Sequence, residues 1–396
     1  MSIQIAKSQK LHYKFLYKFK LAIFLNVVLF IPQFIRRVIY RNKRYKVFYP
    51  YYTSYTHPYI KERMYGKNAP VNWCTLNSAN LIHSLQIPPA NSNGKCLLIE
   101  PNDQILTLGG YFGALNPKQC LEKIPEIKNL LSNDLLKGIL IGNDGLYDQF
   151  RYYFGDEYLR KLIIFPMMRC LPKYTVDNFK KKILQNNKKC DFLFLASSFE
   201  IKAVKLVIDA WRMSPPINST LYLVCNDIPV SYLDILSNIK SVKVIKQIPV
   251  NPKVKKKLFE ICSVSIAVTH IDGGGNAYEG IEYGHAIITN NFHRGRYLIS
   301  NNNGIEVSFK NKFYEPGKYG ISWNSFEEYL AIVNKDIEDG FYDNSVKDIS
   351  EAINLLNSNR EKLNLMRINS IEYAYKESIK ESNKALRNIY KRVLEC

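Results

Sequence analysis

Short apolar runs of four to six residues recur from Tyr45 onward, and most are followed by a stretch with helical spacing. That alternation predicts βαβ units and parallel sheets. The first series of predicted strands is Tyr45–Tyr49, Asn80–His83, Lys95–Glu100, Leu136–Ile141 and Leu162–Phe165. Pro50 and Pro166 stop the first and last of these, because proline cannot donate to a strand ladder. Residues 172–189 are rich in lysine and polar groups, with helical spacing over Val176–Gln185, and read as a connection between two domains.

A second series then begins. Strands are predicted at Phe192–Ala196, Leu221–Cys225, Val242–Ile245, Val264–Val268 and Ala286–Thr289. Helices are predicted at Ile201–Trp211, Lys253–Cys262 and Ala277–Tyr283, and beyond Ser325 the pattern is helical. Most of these strands are continuously apolar, as expected where helices cover both faces of a sheet.

Length agrees with this division, since 396 residues exceed what one core usually serves. Charge adds a separate feature. The chain carries +20 overall, and residues 1–50 hold eleven Lys and Arg with no Asp or Glu; the first acid is Glu62. Within that arm Leu21–Ile31 is apolar but only eleven residues long, against roughly 20 for a membrane-spanning helix. Pro32-Gln33-Phe34-Ile35-Arg36-Arg37 after it offers no small-residue cleavage site. Aromatic and basic residues interleave (Tyr13, Lys14, Phe15, Tyr17, Lys18, Phe19), which predicts an interfacial segment on an anionic lipid surface. No recognised nucleic-acid-binding motif accompanies the charge, so nucleic acid is not an expected partner. The eight cysteines stand singly, without C-x-x-C pairs or Cys/His clusters, which speaks for reduced thiols and against structural zinc.

The densest chemistry lies in His270–Asn290, HIDGGGNAYEGIEYGHAIITN. An apolar strand runs into an acid, three glycines, a helix bearing Glu279, a closing Gly284 and another apolar strand. Glycines at a strand-to-helix turn let backbone amides approach a ligand, and the helix N-terminus attracts phosphate. A carboxylate in the first turn or so of that helix can reach the ribose of a nucleotide whose diphosphate sits on the turn. His270 and His285, flanking the loop, are expected to be structural.

This segment resembles the donor-site motif of family 4 (group 1) glycosyltransferases. There a glutamate-glycine pair precedes a second glutamate by seven residues. Glu279 matches the second glutamate, and Asp272 stands in the place of the first with six residues between. Phe194–Trp211 resembles the strand, turn, lysine and helix of the same family and places Lys202 at its donor-phosphate lysine; Ser197 and Ser198 occupy the stretch where an arginine usually precedes it. Asn303-Gly304-Ile305-Glu306-Val307 resembles its Asn-Gly turn and strand, and Asn80–His83 its strand ending in histidine near the sugar. Glu100 and Asp103 are weaker candidates, and Asn143 and Asp144 follow a strand in the same manner.

The resemblance implies an α/β protein of GT-B architecture, with two Rossmann-like domains facing a central cleft and a helical C-terminus. The corresponding division is an arm at 1–43, an acceptor-side domain at 44–172, a nucleotide-sugar domain at 173–370, and a last helix at 371–396 returning to the first domain. It also implies a metal- and cofactor-independent retaining hexosyltransferase in surface polysaccharide assembly. The donor is a nucleoside-diphosphate sugar and the acceptor a glycan or lipid-linked glycan, with the enzyme attached peripherally to the cytoplasmic face of the cell membrane. His83, Lys202 and Asp272 are then the expected catalytic residues. Ser197, Ser198, Lys202, Gly273, Gly274, Gly275, Asn276 and Glu279 are expected to hold the donor. A noncatalytic scaffold of the same fold is the rival reading.

Overall fold

The computed structural model describes residues 47–48, 80–85, 94, 96–100, 117–142, 145–165, 170–185, 189–246, 250–270, 275–290, 297–309 and 326–395. The arm at 1–43 and the candidates Asp103, Asn143, Asp144, Asp272, Gly273 and Gly274 lie outside these residues.

Two parallel sheets form the frame. The first contains β1 (Val47–Phe48), β2 (Leu81–Leu85), β3 (Cys96–Glu100), β4 (Leu136–Ile141) and β5 (Leu162–Ile164), side by side in chain order. Between β3 and β4 lie α1 (Pro117–Glu122) and α2 (Ile124–Ser132), and α3 (Gly145–Phe154) precedes β5. The pleat sorts the strand residues to two faces. Ile82, Leu97, Ile99, Ile139 and Ile141 pack with Ile127 and Leu131 of α2 and Phe150 and Phe154 of α3. Leu81, Leu98 and Leu140 point the other way, toward the end of the chain.

The connection includes α4 (Val176–Gln185), as the spacing predicts. The second sheet follows: β6 (Phe192–Leu195), α5 (Val204–Met213), β7 (Leu221–Val224), α6 (Val230–Ser237), β8 (Val242–Ile245), α7 (Pro252–Ile261), β9 (Val264–Ala267), α8 (Gly275–Glu282), β10 (Ala286–Asn290) and β11 (Gly304–Val307). Its spatial order is β11-β10-β9-β6-β7-β8, all parallel. Four helices complete the described chain: α9 (Phe326–Glu338), α10 (Asp343–Ser358), α11 (Arg360–Lys376) and α12 (Ile379–Glu395).

Helices cover both faces of this sheet, which accounts for its continuously apolar strands. On one face Phe192, Phe194, Leu221, Leu223, Ile266 and Ile288 pack with Trp211 of α5 and with Ile349 and Ile353 of α10. On the other, Leu193 and Val224 meet Leu258 and Phe259 of α7. There Ile287 also meets Ala277 and Ile281 of α8 and Tyr373 of α11. Two glycines set distances that no other residue allows. A Cβ on Gly280 would stand within van der Waals overlap of Ser265 Oγ, so α8 lies directly against β9. Gly284 turns with φ +75 after α8, and a side chain there would also collide with the Phe179 ring.

α12 returns to the first sheet. Its Leu386, Ile389, Tyr390 and Val393 pack on Leu81, Leu98, Leu140 and Phe165. The outward and return passages lie together, with Cys170 N donating to Glu377 O at 2.9 Å and Ile379 N to Cys170 O at 3.3 Å. The outward passage is also fastened to the end of α8: Leu171 N donates to Glu282 Oε1 at 2.7 Å. No helix among the described residues is long and apolar enough to cross a membrane.

Candidate functional site

The strand order of the second sheet reverses between β6 and β9. From β6 the chain leaves through α5 toward β7; from β9 it leaves through α8 in the opposite direction, toward β10. The loops beyond these strands therefore diverge and open a crevice, the usual ligand position in such sheets. Ser197, Ser198 and Lys202 occupy the first loop, and Asn276 and Glu279 stand on the helix that follows the second.

The two loops are joined at their base. Asn276 Nδ2 donates to Leu195 O at 2.8 Å. Thr269 Oγ1 donates to Ile201 O at 3.1 Å, and His270 N donates to the same carbonyl at 3.1 Å. Asn290, ending β10, accepts from Thr269 N at 3.2 Å and donates to Thr269 O at 3.1 Å, so three strand ends are tied together. This arrangement corrects one expectation. The helix expected from Ile201 begins at Val204, because the Ile201 carbonyl is engaged across the crevice instead of along a helix. Lys202 thus sits half-buried in a turn, its N–H donating to Ser198 O at 3.2 Å. Ala203 beside it is held at φ 52, a left-handed conformation that costs a non-glycine residue about 1–2 kcal/mol.

Glu279 is buried and ion-paired with Lys255 of α7, which approaches Oε1 at 2.9 Å and Oε2 at 2.6 Å. Lys255 was not legible as a partner, because it is one of four lysines in Lys253–Lys257 and nothing in the spacing distinguishes it. Glu200 is a second omission. Burial, and then the neighbouring Asp227, hold its carboxyl above the ordinary range. Asp227 Oδ1 in turn accepts from Phe199 N at 2.8 Å and fixes the start of the Lys202 loop.

The two histidines flanking the loop are structural, as expected. His285 is fully buried, with Nε2 at 2.8 Å from Phe259 O and Nδ1 at 2.8 Å from Ser265 Oγ. The carbonyl can only accept, so Nε2 carries the proton and Ser265 donates to Nδ1. Burial pushes the His285 pKa down to about 3, and that of His270, packed against Phe309 and Tyr342, to about 3 as well.

His83 departs from expectation. Its strand runs on to Leu85, so the histidine lies in mid-strand and not at a carboxyl end. It is fully buried on the face that receives α12. Nδ1 lies 2.8 Å from Tyr390 Oη, and Nε2 lies 3.2 Å from Glu100 Oε2. Glu100 shares that face two residues beyond Leu98. The structure therefore places Ser197, Ser198 and Lys202 in the loop after β6 and Asn276 and Glu279 on the helix that follows β9, and gives His83 and Glu100 to the seam between β2, β3 and α12. Of Gly275 the structure describes only that α8 begins there.

A solved structure shares the overall fold. WaaG, a glycosyltransferase involved in lipopolysaccharide biosynthesis, matches 79% of this chain over 78% of its own, with a TM-score of 0.50 and 12% identity. The fold is GT-B. A glycosyltransferase from Rickettsia africae ESF-5 (12% identity, 80% of this chain, 78% of that one) has a TM-score of 0.44. Sucrose-phosphate synthase from Thermosynechococcus elongatus (12% identity, 80% and 74%) scores 0.46. No family model matches the sequence, and no curated protein sequence matches it.

Proposed function

We propose that this chain is a glycosyltransferase that uses a nucleoside-diphosphate sugar. One observation supports the reading: the chain leaves β6 and β9 in opposite directions at the switch point, the loop with Lys202 following one strand and the helix with Glu279 following the other, and hydrogen bonds join the two segments at their base. Lys202, Ser197, Ser198 and the backbone from Gly273 to Asn276 meet the diphosphate, while Glu279 accepts from the ribose hydroxyls. In the transfer, the bond from the sugar's anomeric carbon to the diphosphate oxygen breaks. An acceptor hydroxyl bonds to the same face, and its proton passes to the departing diphosphate. A preorganised lysine and helix N-terminus supply the charge that a metal would otherwise provide, so the proposal includes retention, no cofactor and no metal. Asp272 is proposed to face the sugar.

The acceptor is proposed to be a glycan or lipid-linked glycan of a surface polysaccharide. The basic, aromatic residues 1–43 hold the protein on the cytoplasmic face of the membrane; the acid-free charge of that segment supports this. The test is calorimetric titration of the full chain with UDP, GDP and ADP, with and without EDTA. One of them is expected to bind regardless of chelator, and Glu279→Ala to weaken it on the order of a hundredfold through loss of a charged hydrogen-bond acceptor. Absence of binding by all three would favour the noncatalytic scaffold, a reading that draws support from Glu279 being already paired with Lys255.

A further inference from the structure

The helices α7 and α8 lie side by side on one face of the second sheet and meet at two levels. One level is apolar: Phe259 stacks on Tyr283 with ring centroids 5.3 Å apart and planes 16° from parallel, and His285 bonds the Phe259 carbonyl. The other level is the Lys255–Glu279 pair. Lys255 and Phe259 are four residues apart on α7, and Glu279 and Tyr283 four apart in the next segment, so the two levels are one helical turn apart. The apolar level lies toward the sheet's interior. The charged one lies one turn nearer the start of each helix, Lys255 being the fourth residue of α7 and Glu279 the fifth of α8.

Helix stability does not explain a lysine there. A cation in the first turn of a helix opposes the macrodipole, and α7 already has Asn251 as its cap, accepting from Lys253 N at 2.9 Å. Nor does global stability explain the pair. Glu279 is 8% exposed and Lys255 31%, and desolvating such a pair offsets much of its attraction. What the pair does achieve is geometric. A glutamate has three side-chain torsions, and contact of the ammonium with both oxygens restricts the orientation of the carboxylate.

We propose that Lys255 is a positioning residue that aims the Glu279 carboxylate at the ribose hydroxyls of a nucleoside diphosphate. The inference rests on the reading of the crevice given under Proposed function. Its consequence is selective: Lys255 governs discrimination between ribose and deoxyribose, through Glu279, and does not itself carry the diphosphate.

The experiment titrates the full chain with UDP, GDP and ADP and with their 2′-deoxy counterparts. For whichever base binds, the ribose form is expected to bind about tenfold more tightly, the worth of one hydrogen bond to a charged acceptor. Lys255→Met is expected to bring that ratio close to one, as Glu279→Gln does, and Lys255→Arg to keep most of it. Lys255→Gln is read by the same ratio should the Met variant not fold. A structural role alone would lower the melting temperature and leave the ratio intact, and that result would overturn the proposal. Wild-type binding without any preference for ribose overturns it while leaving the nucleotide-sugar reading in place. Failure of the wild type to bind any nucleoside diphosphate overturns both.

Discussion

The two sheets of this molecule have similar strands and opposite uses for their polar residues. In the first, five strands stand in chain order, so the described chain advances in one direction and never reverses. Its buried polar pair, His83 and Glu100, faces the returning helix α12 and is joined to Tyr390. In the second, the order reverses between β6 and β9, and polar residues beyond those strands join the two diverging segments by hydrogen bonds. A histidine or acid on a strand is thus no guide to chemistry until the topology says which face or end it occupies. Where the winding reverses, diverging loops are the usual position of a ligand. Where it does not, the polar groups are available for packing.

Removing α12 is the most severe way to break this comparison. Leu386, Ile389, Tyr390 and Val393 are buried on the first sheet, each contributing about 1.5–3 kcal/mol. Truncation after Ser378 is therefore expected to unfold the first sheet and spare the second. Limited proteolysis should then digest the part before Cys170 and leave a resistant fragment spanning Cys190 to Lys376. A first half that still resists protease would contradict the assignment of α12 as its cover.

Acid sharpens the comparison from the other side. His270 and His285 have folded pKa values near about 3, against 6.5 when unfolded. A depressed histidine pKa means that the unfolded chain binds more protons, so the contribution is complete above 6.5 and is lost as pH falls below it. Between pH 7 and pH 5 each histidine is expected to remove about 2 kcal/mol. Thermal unfolding at the two pH values checks this, and His285→Asn should reduce the pH dependence by about half. Next in size is Tyr390→Phe, which leaves His83 Nδ1 buried without its hydroxyl partner and should destabilise by about 1–3 kcal/mol, read by denaturant unfolding. Smallest on this scale is Lys202→Ala. It is expected to move stability by less than about 0.5 kcal/mol while weakening nucleoside-diphosphate binding more than tenfold in the titration described above.

Much of the second half was legible because its signals are local. Strands such as Phe192–Leu195 are apolar on both faces, and Gly284 marks the end of α8. The first half was read less well. Gly145–Phe154 is helical although five of its ten residues are aromatic, and neither it nor the helices between Pro117 and Ser132 were predicted, nor, in the second half, Val230–Ser237, since short helices set by tertiary packing carry little periodicity. Among the candidate residues, Glu279 was reachable from strand-glycine-helix order and Lys202 from the family resemblance alone. Lys255 and Tyr390 were not, because what singles them out is a partner 24 or 307 residues away.

The seam between the first sheet and α12 also has a consequence during synthesis. Leu81, Leu98, Leu140 and Phe165 are translated well before the helix that buries them. At typical ribosomal speeds the intervening stretch of roughly 200 residues takes on the order of 10–40 s to make. For that interval the nascent protein presents a greasy, unfinished surface to the cell. It can complete its amino-terminal half only after its carboxyl-terminal helix has left the ribosome.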